Sequence, residues 1–146
     1  MSNTLKLIRR KKSAGSSIIT YVYQCLLSGS YVNGGAIGTP GETLNFDTAT
    51  NPNFVSRPKL PRGPSGKTPA ASDVRLMRIP GGFDAQIEQN ATLPTPANFV
   101  LRIFTAGSGN AAPVEMSAGT YASNGPALSA DTTGLIIEVD VPSKYS

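Results

Sequence analysis

Residues 17–29 (SIITYVYQCLLSG) have the most strand-like pattern in the chain. Eight of these residues are apolar and none is charged, and β-branched and aromatic side chains dominate. Such residues fit a pleated, packed surface better than a helix. Because both alternating sets of positions are largely apolar, we interpret this stretch as a central strand covered on both faces. A buried helix is the alternative interpretation.

Three later stretches show the alternation that is typical of half-buried strands. In residues 83–88 (FDAQIE), Phe83, Ala85 and Ile87 are expected to point inward, and Asp84, Gln86 and Glu88 outward. In residues 99–105 (FVLRIFT), one face carries Phe99, Leu101 and Ile103, and the other carries Val100, Arg102 and Phe104. In residues 135–141 (LIIEVDV), Leu135, Ile137, Val139 and Val141 point inward, and Glu138 and Asp140 point outward.

Turn signals separate these strands and set the expected fold class. Asn33-Gly34, Pro40-Gly41 and Pro80-Gly81-Gly82 all mark turns, and the last of these predicts a hairpin of residues 73–79 with residues 83–88. Residues 114–116 form a minor strand at best, and a loop begins at Gly119. About seven short strands with regular turns predict an all-β protein, a single-domain β-sandwich with jelly-roll connections.

Composition agrees with this fold class and indicates the kind of environment in which the protein is made. The 146 residues include 15 Gly and 12 Pro, with 39% hydrophobic and 15% charged residues, which argues against a helical bundle. No apolar run is long enough to span a membrane and no signal peptide is evident, so we expect a soluble protein. Cys25 is the single cysteine, and its apolar neighbours predict a buried thiol in a protein made in a reducing cytoplasm.

Two basic segments stand apart from the predicted strands. Residues 1–16 have alternating Leu5 and Leu7 followed by four consecutive cations, and we interpret them as an N-terminal arm that orders on a partner, or else as a frayed terminus. Residues 51–72 contain five prolines, four basic residues and no acid, which predicts a long, partly polyproline loop. The predicted organisation is therefore a basic arm over residues 1–16 and a β-sandwich domain over residues 17–146.

The residues that usually carry catalysis are missing or isolated. The chain has no histidine, and Cys25 therefore has no histidine partner to activate it. The pairs Asp84/Glu88 and Glu138/Asp140 are read as solvated strand faces. We expect no enzymatic activity, no cofactor and no metal site. Nucleic-acid binding is not expected either, because aromatic residues lie in the predicted core strands and not among the cations.

The pattern of the whole chain resembles the small head decoration, or cement, proteins of tailed bacteriophages. The resemblance covers about residues 17–141. It is carried by the opening strand running into SGSYVNGG (28–35), by PGGFDAQIE (80–88), and by FVLRIFTAGSG (99–109) with the later GTYAS (119–123) and LIIEVDV (135–141). These are β-patterns without a chemical signature. The basic loop 51–72 is longer than that pattern leads one to expect.

The resemblance implies a virion structural protein on the capsid exterior. Such a protein binds the outer surface of the expanded head as a homo-oligomer, a dimer or trimer, and clamps adjacent major capsid subunits. The expected capsid-contacting residues are the cations of the two basic segments: Lys6, Arg9, Arg10, Lys11, Lys12, Arg57, Lys59, Arg62 and Lys67. Another virion part, such as a head–tail connector or tail subunit, is the main alternative, and a carbohydrate-binding β-sandwich is a further one.

Overall fold

The computed structural model describes residues 3–12, 14–31, 41–46, 49, 73–89, 99–105, 109 and 111–145. In this part of the chain the protein is an all-β fold of antiparallel sheets, as the sequence predicts. The strands are β1 (Asn3–Lys11), β2 (Ile18–Leu27), β3 (Ser30–Tyr31), β4 (Glu42–Leu44), β5 (Asp73–Arg78), β6 (Phe83–Gln89), β7 (Phe99–Thr105), β8 (Val114–Glu115), β9 (Gly119–Thr120) and β10 (Leu135–Pro142). The jelly-roll connectivity stays a prediction.

Two larger sheets contain most of these strands. The first sheet has the order β1-β2-β10-β5, and the second has the order β4-β7-β6 with β8 paired to β7. The two-residue strands β3 and β9 form a separate ladder. The strong patterns of residues 99–105 and 135–141 correspond to β7 and β10. The predicted inward residues of β10 are buried, and in β7 Phe99, Leu101 and Ile103 are buried on one face and Val100 on the other.

The hydrophobic core is built from the inner face of the first sheet and from β4 and β7 of the second. In the first sheet, cross-strand rows such as Leu7–Tyr23–Ile137 place apolar side chains side by side. From the second sheet, Leu44, Leu101 and Ile103 are fully buried. Phe83, Ala85 and Ile87 of β6 are partly buried against this core, whereas Asp84, Gln86 and Glu88 are exposed, which confirms the predicted alternation.

Strand β2 is central, but the described residues do not cover it fully on both faces as predicted. It pairs with β1 on one side and with β10 on the other. Its inner residues, from Ile19 to Leu27 in alternation, are buried, and Cys25 among them confirms the predicted buried thiol. On the outer face Val22 is buried, but Thr20 is only half-buried and Ile18 is 41% exposed. The described residues therefore cover the outer face of β2 only in part.

The N-terminal segment is not a free arm. Strand β1 pairs with β2 over its whole length, and Leu5 and Leu7 enter the core beside Cys25 and Tyr23. The alternating leucines decide that this segment forms a strand, despite the basic run that follows. Both leucines can be buried while the cations stay at the surface. Only residues 12–17 connect β1 to β2, so the two strands form the hairpin that begins the fold.

The predicted hairpin of residues 73–79 with residues 83–88 is wrong. Strand β5 pairs with β10 in the first sheet, whereas β6 pairs with β7 in the second. The turn itself is present, with Gly82 at a φ of 90°, a region that favours glycine. The turn therefore carries the chain from one sheet to the other.

Two short helices, α1 (Tyr121–Asn124) and α2 (Pro126–Ser129), occupy the region expected to be a loop. They bury Tyr121 and Leu128 in the core. A short 3-10 helix, Ser143–Tyr145, follows β10. No helix in the described part of the chain is long and apolar enough to cross a membrane. The predicted Pro-rich loop 51–72 lies outside the described residues.

Candidate functional site

The outer face of the first sheet carries a cluster of opposite charges, which we call the charge cluster. Its members come from all four strands of the sheet: Lys11, Thr20, Asp73, Arg75, Glu138 and Asp140. The cross-strand register brings these residues together, because Lys11 lies opposite Thr20, which lies opposite Asp140. In the neighbouring row, Glu138 lies opposite Arg75.

A bulge in β1 decides which cations reach this face. Up to Leu7 the odd-numbered residues of β1 point into the core, but the register shifts between Leu7 and Arg9. Beyond the shift, Arg9 and Lys11 lie opposite the outer residues Val22 and Thr20. An unbroken register would have turned both cations towards the core, since a one-residue slip moves every side chain to the other face.

Arg75 is the centre of the charge cluster. Its Nη1 donates to Oδ2 of Asp140 at 2.6 Å and to Oδ2 of Asp73 at 2.9 Å. Its Nη2 donates to Oε2 of Glu138 at 3.0 Å. These hydrogen bonds raise the pKa of Arg75 above its usual value, with Asp140 making the largest contribution. One guanidinium group therefore ties β5 to two carboxylates of β10, through the planar fork of donors that arginine provides.

The two carboxylates of β10 are held in the ionised form. The hydrogen bond from Lys11 is the main cause that lowers the pKa of Glu138, and the hydrogen bond from Arg75 is the main cause that lowers that of Asp140. Thr20 Oγ1 also donates to Oδ1 of Asp140 at 2.7 Å. The expectation that Glu138 and Asp140 are solvated is therefore wrong, because their side chains are only 11% and 18% exposed and both are ion-paired. Asp84 and Glu88, by contrast, are exposed as expected.

The basic end of β1, which we define as Arg9, Arg10 and Lys11 of the strand together with Lys12 directly after it, lies beside this cluster. All four residues are exposed. Lys11 Nζ is nevertheless 2.7 Å from Oε1 of Glu138, and the guanidinium carbon of Arg10 lies 5.6 Å from the centre of the Tyr21 ring, a cation–π contact. The cations therefore stand on a packed sheet at defined positions.

The structure thus gathers part of the predicted binding set and leaves part of it apart. Lys6 is half-buried on the outer face, opposite Gln24, and the basic end of β1 follows it on the same edge strand. Arg57, Lys59, Arg62 and Lys67 lie outside the described residues. Sequence reasoning missed Arg75 as a partner of Glu138 and Asp140. The sequence does show a cation in β5 and two carboxylates at outward positions of β10. These opposite charges indicate an ion pair only once β5 and β10 are known to be neighbours.

A second polar group is buried at the core and does not reach the surface cluster. Glu42 is 2% exposed and accepts hydrogen bonds from Nδ2 of Asn3, at 2.9 Å, and from the hydroxyl of Tyr121. Burial is the main cause that raises the pKa of Tyr121, with the charge of Glu42 adding to it. This group links the start of β1, β4 and α1, and its contacts are those of a structural element.

Comparisons with known proteins add no family to this picture. No family model, no curated protein and no solved structure matches the chain. Within the described ranges, no three His, Cys, Asp or Glu side chains are grouped as possible metal ligands. The charged outer face and its exposed cations are therefore the candidate functional site of the described residues.

Proposed function

We propose that this protein is a virion structural protein that binds the outer surface of a tailed-phage capsid and cements adjacent major capsid subunits. The observation that carries the proposal is the basic end of β1, a run of four exposed cations of which three lie on the edge strand of a packed sheet. The resemblance of the strand patterns to phage head decoration proteins supplies the identity of the partner. The capsid exterior as its location and a homo-oligomeric state belong to the same proposal.

Rigid presentation of these cations favours binding. A disordered arm loses conformational entropy when it orders on a partner, and that loss reduces its affinity. The basic end of β1 is already ordered by its pairing with β2 and by the contacts of Lys11 and Arg10. Its charges can therefore steer the protein towards an acidic surface without that loss. Repetition over a capsid lattice then multiplies weak contacts into avidity.

The test is occupancy on expanded capsids of the phage that encodes the chain. The variant Arg9→Ser/Arg10→Ser/Lys12→Ser removes three exposed cations and keeps Lys11, which holds Glu138. The matched control, Asp84→Ser/Glu88→Ser, removes exposed charge from β6 in the second sheet. We expect the first variant to decorate fewer sites and to protect capsids less against heat, and the control to behave as the parent.

The dependence of attachment on salt concentration distinguishes electrostatic steering of the protein to the capsid from the contacts that form after it has bound. Attachment should slow at high ionic strength, because exposed charges are screened beyond a Debye length of roughly 8 Å at physiological salt. A loop variant with Arg57, Lys59, Arg62 and Lys67 replaced by serine measures the part played by the Pro-rich loop. If both variants decorate capsids as the parent does, the basic segments are not the clamp. Localisation of the protein to the neck or tail would favour a connector or tail subunit instead.

A further inference from the structure

Strand β6 is a long and regular edge of the sheets that the structure describes. Both edge strands of the first sheet carry a bulge, β1 between Leu7 and Arg9 and β5 opposite Ile136 and Ile137. In the second sheet, β4 and β8 lie on one side of β7 and have only three and two residues. On the other side of β7, β6 has seven residues in an unbroken register. Bulges and short edge strands discourage the addition of another strand, and β6 has neither.

The backbone of Ala85 faces this edge. Ala85 lies opposite Ile103 in the register of β6 with β7. The N–H of Ile103, however, donates to the hydroxyl of Tyr31 at 3.0 Å, and its carbonyl accepts from the N–H of Met116 at 2.8 Å. Ile103 therefore turns its backbone groups away from β6, and Ala85 turns its own away from β7, as in a non-hydrogen-bonded pair of an antiparallel ladder.

Phe83 and Ile87 face the same edge, because the direction of the backbone groups alternates along a strand. Each of these residues offers one N–H and one carbonyl to an added strand. The N–H of Ala85 donates to Oδ1 of its neighbour Asp84 at 2.8 Å. Asp84 is exposed, so its carboxylate can return to water when another strand supplies a carbonyl in its place.

The hydrophobic core is least covered along this same side. Six hydrophobic residues pack against the core while staying only partly buried, and all of them lie in β5, in β6 or between the two: Val74, Leu76, Ile79, Phe83, Ala85 and Ile87. The three that belong to β6 are also the residues whose backbone faces the edge. A strand added to β6 would therefore place its own inward side chains beside these and cover more of their apolar surface.

We infer that β6 is the interface of a symmetric dimer, in which it pairs antiparallel with β6 of a second copy about a two-fold axis at Ala85. Ala85 then lies opposite its own equivalent, and Phe83 lies opposite Ile87 of the second copy, so inward apolar residues meet. On the outward face, Asp84 lies opposite Gln86 of the second copy. About six backbone hydrogen bonds form, two for each edge-facing residue.

The side chains of β6 select this axis. A two-fold axis perpendicular to the sheet keeps inward residues inward only when it passes through a residue, because side chains alternate with a period of two. An axis at Gln86 would place Asp84 opposite Glu88 of the second copy, and an axis at Asp84 would place two aspartates opposite each other, which is unfavourable. Axes nearer the ends pair fewer residues. Because both copies use the same strand, association closes at the dimer.

Analytical ultracentrifugation of the purified protein tests the dimer. We expect an equilibrium between monomer and dimer with no larger species. Gln86→Glu places an acid opposite Asp84 of the second copy and should raise the dissociation constant about fivefold, whereas Gln86→Lys should lower it about fivefold, since two cross-strand pairs change in each dimer. Arg102 lies opposite Gln86 in monomer and dimer alike, so it does not cause this difference. A protein that stays monomeric up to about 1 mM, or equal association of the two variants, would overturn the inference.

Disulfide cross-linking tests the position of the axis. Ala85→Cys places two thiols at the axis, in a pair whose Cα atoms lie about 5.5 Å apart, within the range of a disulfide. The control Gln86→Cys is more exposed, but its two copies lie two residues out of register, roughly 8 Å apart. Cys25 is buried and does not compete. We expect Ala85→Cys to cross-link roughly tenfold faster than Gln86→Cys. Faster cross-linking of Gln86→Cys would contradict the inference, because chance collisions or another axis would then explain the contact.

The dimer and the proposed function can fail separately. The homo-oligomeric state in the proposed function would be this dimer, but its measurement needs no capsid. Parent protein that decorates capsids while staying monomeric refutes the dimer and leaves the proposed function standing. A dimer cross-linked through Ala85→Cys that does not bind capsids does the reverse. The capsid-binding control Asp84→Ser/Glu88→Ser keeps the backbone and the apolar residues of β6, so it should dimerise as the parent does. Thermal melting confirms that each variant is folded.

Discussion

Lys11 and Glu138 are 127 positions apart in the chain, yet Nζ of the lysine lies 2.7 Å from Oε1 of the glutamate. The pair passes over β2 and joins the first strand of the fold to the last. Glu138 also accepts from Arg75, so one carboxylate connects β1, β10 and β5. The outer face of the first sheet is therefore held together by side chains as well as by its backbone ladder.

Lys11→Met should lower the free energy of unfolding by about 0.5–1 kcal/mol, the usual range for a partly exposed ion pair. The effect is small because the Lys11 side chain is 48% exposed and Glu138 keeps its bond to Arg75. Urea denaturation at neutral pH measures it. Lys12→Met is the matched control, since Lys12 is an exposed neighbour that forms no ion pair with any described residue. Equal effects of the two substitutions would mean that the pair contributes nothing.

The charge cluster should make stability depend on pH in the acid range. The pKa values of Glu138 and Asp140 are lowered in the folded protein from reference values of 4.5 and 3.8. Groups with depressed pKa values stabilise the fold above their unfolded pKa, and this stabilisation is lost as the pH falls through the folded pKa. The urea midpoint should therefore be steady near neutral pH and fall below about pH 4.5, where the unfolded carboxylates take up protons first.

Arg75→Gln should weaken this pH dependence. At neutral pH we expect the free energy of unfolding to fall by about 1–2 kcal/mol. The effect is smaller than for a fully buried ion pair because a third of the Arg75 side chain is exposed. At pH 3 the difference from the parent should shrink, because the carboxylates that Arg75 binds are then being protonated in both proteins. Asp131, held by Arg78, titrates alike in both and does not affect the comparison. A difference that is the same at both pH values would contradict the assignment.

Tyr121→Phe should destabilise the protein by about 1–3 kcal/mol, since it removes a donor from a buried carboxylate. The raised pKa of Tyr121 keeps its hydroxyl protonated, so it donates to Glu42 over the whole physiological range. A double-mutant cycle with Glu42→Gln supplies the control, with unfolding free energies as the measurement. The cost of Tyr121→Phe should be smaller in the Glu42→Gln background. Strictly additive effects would show that the hydroxyl does not act through Glu42.

Cys25 should be unreactive in the folded protein. Burial raises the pKa of its thiol to about 12, and the charge of Glu42 adds to the rise. The thiolate is the reactive form, so a thiol reagent at pH 8 should label the native protein far more slowly than the protein in urea. The absorbance of the thiolate that the reagent releases measures the rate of labelling. Labelling of native protein as fast as that of unfolded protein would place Cys25 at the surface.

Local patterns predicted the strands whose two faces differ in polarity. Strands β7 and β10 follow from alternation alone, because the side-chain period of a strand is a property of the chain itself. The inward and outward residues of β6 follow for the same reason. The basic residues of β1 could also be chosen as binding candidates, because several cations follow one another in a short stretch. The strand that carries them could not be predicted, because the run of cations hides the short alternation of Leu5 and Leu7.

Strand neighbours were decided only by the tertiary structure. Nothing in residues 73–88 distinguishes a hairpin from a turn between two sheets, since both use the same Pro-Gly-Gly signal. The bulge that turns Lys11 to the outer face depends on its register with β2. Arg75 meets Glu138 and Asp140 because β5 and β10 pair in that register. The sequence by itself determined the strands with a strong local pattern and the residues that carry charge. The packing of strands distant in sequence decided which charges meet, because pairing energies depend on neighbours that local patterns do not specify.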